Sequence, residues 1–288
     1  MAIPKLLFVD TNIWLDFYRA RTEAGLSLLR HLERVSPSLI VHYNVEMEYK
    51  RNRQVVILES INELKPPPPV SRPGMFSDAK AAKAMQANMK QAADRIKALK
   101  SKLKKALDNP AQHDPVYQVC QRIFHASSDL VLTRENAERH TIRRRAFRRF
   151  LHGCPPRKRN DTSIGDALNW EWMIACALKK EAELVIVSRD SDYGVSLDDK
   201  AYVNDHLKQE FSERVSRKRK LLLYTKLSEA LKHFEVPVSV AEEAEEKQII
   251  QTTPQPVRIH HRMSFEELNE YLRLRGIEDG INSERAGA

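Results

Sequence analysis

The stretch Leu6-Leu7-Phe8-Val9-Asp10-Thr11-Asn12-Ile13-Trp14 constrains this chain most, because an apolar run delivers a carboxylate to the point where a strand ends. Four apolar residues in a row have the length and character of a strand buried on both faces. Asp-Thr-Asn then turns the chain back through side-chain to backbone hydrogen bonds. Similar apolar runs recur at Leu39 to Val41, Leu184 to Val187 and Leu221 to Tyr224, with helical patterns between them. That alternation predicts an α/β fold of three layers, with a mostly parallel sheet covered on both faces. In an open sheet of this kind the strand C-termini line the functional crevice.

The helical stretches have legible ends. Ile13 to Val35 fits one or two helices, with a break expected near Ala24-Gly25 and a stop at Ser36-Pro37. A helix from Asn44 to about Leu64 must end at Pro66-Pro67-Pro68-Pro69. Ser77 to Leu107 holds no Gly or Pro and favours a long exposed helix, joined by Val116 to His125 and Arg134 to Leu151. Residues 66–150 therefore read as a helical insertion between two parts of a core, 1–65 and 151–235. Ser163 to Glu181 and about Val203 to Ser216 are the remaining core helices. Residues 236–288 read as a linker, acidic at Ala241 to Lys247, followed by a short tail helix at Ser264 to Arg273 with capping-box spacing of Ser264 and Glu267.

Composition excludes several classes. The 288 residues are 42% hydrophobic, enough for a real core, and no stretch approaches the roughly 18 to 20 apolar residues that span a bilayer. We expect a soluble, cytoplasmic protein with no membrane partner. Cys120, Cys154 and Cys176 are odd in number and far apart, which suggests neither a disulfide framework nor a Cys-x-x-Cys metal site. His260-His261 has no further ligand nearby. The lack of a Gly-rich phosphate loop or a Gly-x-Ser-x-Gly elbow argues against an ATPase or a serine hydrolase. A net charge of +9 suits a polyanionic partner, and its densest part is Arg143-Arg144-Arg145, Arg148-Arg149 and Arg157-Lys158-Arg159. Arg51 and Arg53 lie about one helical turn beyond Glu48 and join the candidates for binding phosphate. The lysines of 97–105 read as a solvent face. Trp170 and Trp172 point to different sides of one helix, so at least one belongs to the core, and base stacking is open to the other.

Four acids fall where a parallel sheet would gather them: Asp10 after the first strand, Glu48 after the second, Asp166 opening the helix before the third, and Asp190 after the third, with Asp192 beside it. Each has a plainer reading as a turn, cap or first-turn acid. Together they make a cluster of like charges that a divalent cation would compensate, and an oxygen-only donor set suits Mg²⁺ or Mn²⁺.

Phe8-Val9-Asp10-Thr11-Asn12, Val45-x-x-Glu48, Gly165-Asp166-Ala167-Leu168 and Val187 to Tyr193, in that order, resemble the four motifs of the PIN-domain ribonuclease superfamily. Glu48-Tyr49-Lys50-Arg51-Asn52-Arg53, and Pro155-Pro156-Arg157-Lys158 followed by Ser163 to Glu171, resemble its subgroup with a helical insertion. The resemblance covers roughly residues 1 to 235. It implies a sheet of about five parallel strands, with Asp10, Glu48, Asp166 and Asp190 as catalytic metal ligands. Asp192 is an auxiliary, and the choice between Asp190 and Asp192 as fourth acid stays open. Thr11 and Asn12 would shape the first motif by hydrogen bonding. His42 departs from the family, which often has Pro there, and should alter only the local turn.

The expected function is a metal-dependent endoribonuclease, by analogy a bacterial toxin or defence effector, with Arg51, Arg53, Arg143, Arg144, Arg148, Arg157 and Lys158 on the nucleic acid. RNA is the preferred substrate. An antitoxin or other protein partner and a homodimer remain open. The alternatives are a nuclease of branched or single-stranded DNA, with the helix from Ser77 as an arch, and a catalytically silent RNA-binding scaffold.

Overall fold

The computed structural model describes residues 3–68, 75, 79–157 and 163–253. Lys5–Val9 (β1) is the centre of a five-stranded sheet, and all four of its residues from Leu6 to Val9 are buried. Parallel partners flank it on each side: Leu39–His42 (β2) and, beyond that, Val131–Leu132 (β3) on one edge, Glu183–Val187 (β4) and Leu221–Tyr224 (β7) on the other. The spatial order β3-β2-β1-β4-β7 reverses direction between β1 and β4. That reversal opens a crevice at the C-terminal ends of the two strands. Apolar runs became the buried central strands because both of their faces are covered.

Helices Thr11–Asp16 (α1), Glu23–Arg34 (α2) and Tyr43–Glu63 (α3) follow β1 and β2. The break expected near Ala24-Gly25 falls earlier, between Asp16 and Glu23, so Gly25 lies inside α2. Gly25 is buried, and a Cβ there would crowd Ala20 and Glu245. Lys80–Asp108 (α4) is the expected exposed helix, with Ala106 its one buried residue.

The rest of the segment 66–150 is not set apart from the core. Pro110–His113 (α5) leads to Pro115–Phe124 (α6), whose Val116, Cys120, Ile123 and Phe124 enter the same apolar cluster as β1 and Trp14. The Trp14 and Phe124 rings meet edge-on at 5.0 Å. β3 completes the sheet, and Glu138–Leu151 (α7) packs along Gly165–Lys180 (α8).

Two elements differ from expectation after β4. Gly194–Leu197 (β5) and Lys200–Val203 (β6) form an antiparallel hairpin ahead of Asp205–Arg214 (α9). Its turn residues Asp198 and Asp199 both have positive φ, the backbone of a tight two-residue hairpin that Asp tolerates. Gly194 is required there, because any Cβ would run into the Tyr202 carbonyl.

The acidic stretch expected as linker is instead helix Val240–Thr252 (α11), which follows Leu227–His233 (α10) and opens with a capping box of Ser239 and Glu242. Three of its glutamates are buried. Glu245 accepts from the Arg21 and Thr22 N–H groups, Glu246 from those of Leu227 and Ser228, and Glu242 from Ser27 Oγ. Glu245 and Glu246 thus fasten the helix to backbone N–H groups at the starts of α2 and α10 that have no partner within their own helices, and Glu242 adds a side-chain bond to α2. The expected tail helix at 264–273 and His260-His261 lie outside the described residues.

Candidate active site

The acids meet at the crevice between β1 and β4. Asp10 leaves β1, caps α1 and accepts from the Thr11 N–H at 2.7 Å, so the plain reading of it as a turn former is correct as far as it goes. Its other oxygen accepts from Asn12 Nδ2 at 3.1 Å and from Ser188 Oγ at 2.5 Å. Every one of these donors is neutral. Burial pushes the Asp10 carboxyl up to about 6, against the Ser188 and Thr11 hydrogen bonds and with help from the charges of Asp190 and Glu48.

Glu48 stands on the neighbouring wall. Thr11 Oγ1 donates to one of its oxygens at 3.0 Å and Asn44 Nδ2 to the other at 3.1 Å. Thr11 therefore binds both acids, through its backbone to Asp10 and through its hydroxyl to Glu48. Asn44 is held by its own helix start, where its N–H donates to His42 Nδ1 at 3.0 Å. His42 is fully buried, and burial holds its ring down to about 3, which keeps it neutral as that acceptor. The departure from the family's frequent Pro thus caps the helix that carries Glu48.

Asp166 arrives from a third direction. α8 begins against Glu48: a Cβ on Gly165 would come within 2.9 Å of Glu48 Oε1 and 2.7 Å of Asn44 Nδ2, so any side chain there would push these two groups from their places. The cap of α8 is Ile164 without a side-chain bond, and Ser163 Oγ accepts from Gly165 N–H. Asp166, Asp190 and Asp192 each offer a carboxylate oxygen within 4.8 Å of the others, the spacing of a shared cation. Both candidates for the fourth acid therefore join one group. Ser188 links that group to Asp10, since it donates to Asp10 and accepts from the Asp190 N–H at 3.0 Å.

Gly165 and Ser188 enter the sequence reading only as members of the resembling motifs, with no role assigned, and Asn44 carries no signal of a site role. Neutral hydrogen-bonding residues have no charge pattern, and their role appears only once the chain brings three elements together. Tyr193, which directly follows Asp192, is fully buried beside Phe8, with ring centroids 6.4 Å apart. Arg189 turns away from the acids and pairs with Asp16, fastening the loop after β4 to α1.

Two expectations about the basic and aromatic residues need correction. Arg53 is buried at 3% exposure and faces inward: its guanidinium meets Asp114 at 2.7 Å and donates to the Ala106 carbonyl at 2.6 Å. It fastens α4 and α6 to α3 and leaves no face for phosphate. Trp170 and Trp172 are both buried, with indole N–H groups donating to Glu210 and to the Leu130 carbonyl, so neither is open to a base. By contrast Arg51, Arg143, Arg144, Arg148 and Arg157 are exposed. Arg157 donates to the Phe150 carbonyl at 3.1 Å, with its guanidinium 4.6 Å from the Phe150 ring centroid. Lys158 lies outside the described residues.

Oxygen-only donors, a carboxyl raised by burial among neighbouring acids and three carboxylates within reach of one point fit a hard divalent cation. A family model for the PIN domain matches residues 7–193, about two thirds of the chain, which includes Asp10, Glu48, Asp166, Asp190 and Asp192. The chain belongs to the PIN-domain family, whose members are in general nucleases that use divalent metal ions. No curated protein and no solved structure matches it. Among the described residues, no helix is long and apolar enough to cross a membrane.

Proposed function

We propose that this chain is a metal-dependent endoribonuclease, in which Asp10, Glu48, Asp166, Asp190 and Asp192 hold Mg²⁺ or Mn²⁺. The observation that carries the reading is the convergence of Asp166, Asp190 and Asp192 within 4.8 Å, beside an Asp10 carboxyl pushed up to about 6. When bound, such a cation polarises a phosphoryl oxygen and makes water a stronger nucleophile for in-line attack on phosphorus. The chain's own residues do the rest. Thr11 holds Asp10 and Glu48 in fixed relation, Asn12 and Ser188 fix the second Asp10 oxygen, and Asn44 fixes Glu48. The exposed Arg51, Arg143, Arg144, Arg148 and Arg157 supply positive charge for the phosphate backbone. The preference for RNA over DNA, and a role as a toxin or defence effector held in check by a protein partner, rest on likeness to the ribonucleases of the family.

The test is cleavage of end-labelled RNA and DNA of identical sequence, by the wild type and Asp10→Asn, in Mg²⁺, Mn²⁺ or EDTA. Expected are RNA products with 5′-phosphate and 3′-hydroxyl ends, formed only with a divalent cation. Asp10→Asn should lose more than about 100-fold in rate, beyond the cost of altering an outer-shell partner. Preferential cleavage of DNA would replace the substrate; undiminished cleavage by Asp10→Asn would refute the site.

A further inference from the structure

The half-buried Tyr18 and the buried Tyr49 pair their hydroxyls at 2.7 Å, and Tyr18 also donates to Asp114 at 2.8 Å. Tyr193 is different. It is 0% exposed, and its hydroxyl has no hydrogen-bond partner among the described residues. Its backbone is clamped on both sides: the Tyr193 N–H reaches the Asp190 carbonyl at 3.4 Å, and the Asn204 N–H donates to the Tyr193 carbonyl at 2.9 Å. The ring is backed by Phe8. That fixes the direction of the phenol, and the charges of Asp166, Asp10, Asp190 and Glu48 all bear on its oxygen. A Phe at this position would fill the same space against Phe8 and bury no lone hydroxyl, so the oxygen has no packing role.

Resting on the cation site proposed above, we infer that Tyr193 is a positioning residue of that site: its hydroxyl donates a hydrogen bond to an oxygen in the shell of the bound cation. The direction of donation follows from chemistry. Ionised carboxylates only accept, whereas the phenol carries an O–H, so Tyr193 is the donor. Such outer hydrogen bonds orient ligand oxygens and typically change metal affinity by about 10- to 100-fold.

Tyr193→Phe removes the oxygen and nothing else. Calorimetric titration of the full chain with Mn²⁺ should give a Kd weaker by about 10-fold or more in Tyr193→Phe. Without cation its melting temperature should equal or exceed that of the wild type, since an unpaired buried hydroxyl is gone. On RNA, kcat should fall while KM stays, because the fully buried phenol is out of reach of the strand. A second measurement needs no variant: with ζ-carbon-labelled tyrosine, the Tyr193 resonance of the wild type should move on saturation with Mg²⁺, and Asp166→Asn should abolish that movement. Equal Mn²⁺ affinities in the two proteins, or a resonance that ignores Mg²⁺, would overturn the role of Tyr193 and leave the nuclease reading standing. A wild type that binds no cation overturns both. Cation binding without any cleavage of nucleic acid would sink the nuclease reading alone.

Discussion

Helix α8 contributes to two partly buried clusters of charge, and they are built on opposite principles. At its first turn Asp166 joins Asp190 and Asp192, close to Asp10 and Glu48, which are held only by neutral donors. Five residues on, Glu171 meets Arg149 at 3.2 Å and Arg214 at 2.7 Å, while Glu210 pairs with the same two arginines and accepts from Trp170. Two acids and two arginines there cancel in charge and tie α7, α8 and α9 together. Burial alone would raise the Glu171 carboxyl, but Arg214 and Arg149 outweigh it and hold Glu171 below the usual range. Asp10 goes the other way. A balanced cluster serves the fold; one with surplus acid is held together by the fold and leaves negative charge that a cation would compensate.

Breaking the balanced cluster should therefore cost the most stability. Arg149→Met leaves Glu171 and Glu210 to share Arg214, and removing one partner of a buried pair typically costs about 3–5 kcal/mol. Urea denaturation should show that loss, and adding Glu210→Gln to Arg149→Met should recover part of it. A loss below about 1 kcal/mol, the range of exposed pairs, would mean that the cluster is solvated and that the contrast with the acidic crevice is false.

The acidic cluster should respond with the opposite sign. The folded-state pKa of Asp10 is raised from 3.8 to about 6, so folding favours its protonated form. Its contribution is fully present below about pH 4 and is lost as pH rises through about 6. Asp10→Asn should accordingly be more stable than the cation-free wild type at neutral pH, by at most on the order of 3 kcal/mol for about two pKa units. The gap should open between about pH 4 and 6 and stay level above. Glu171→Gln should behave in reverse: the depressed carboxyl stabilises above about 4.5, and that contribution fades as pH falls through its lowered value. Saturating Mg²⁺ should close the Asp10→Asn gap and leave that of Glu171→Gln unchanged. A pH-independent Asp10→Asn difference would show that its charge is not under stress.

This contrast is half legible in the sequence. Apolar runs announce β1, β2, β4 and β7 because burial on both faces leaves no room for polar residues, whereas the two-residue β3 becomes a strand only by pairing with β2. The five acids are visible as a constellation, since β-strand ends and helix starts converge in any parallel sheet. Their organisers Ser188, Asn44 and Gly165 are not: Ser188 and Gly165 act through partners distant in sequence, and Asn44, one turn before Glu48, is neutral and adds nothing to the charge pattern. Helical geometry does place Arg53 correctly. Five residues after Glu48 is about 140° around a helix, nearly the far side, while Arg51 at three residues shares the Glu48 face. α11 reads as a linker because Glu242, Glu245 and Glu246 look solvated in isolation, while the donors they meet are the Ser27 hydroxyl for Glu242 and backbone N–H groups at the starts of α2 and α10 for Glu245 and Glu246.

The smallest effects on stability should come from the exposed arginines, and they separate binding from both clusters. Arg143, Arg144 and Arg148 lie on α7, the helix whose Arg149 turns inward to Glu171, yet these three remain exposed. Changing all three to Ala should alter folding stability by no more than about 0.5 kcal/mol each. If they neutralise phosphates, each arginine removed should lower the salt dependence of single-strand binding by about 0.7 in the slope of log K against log salt. Measured in an Asp10→Asn background, where cleavage does not interfere, the triple variant should drop about 2 from that slope, with cation affinity unchanged. Arg157 should contribute less than any of the three, because its guanidinium is already engaged with the Phe150 ring and carbonyl. A slope that does not move would place the nucleic acid elsewhere, with Arg51 beside Glu48 as the next position to substitute, since it is exposed on the helix face that carries the acid.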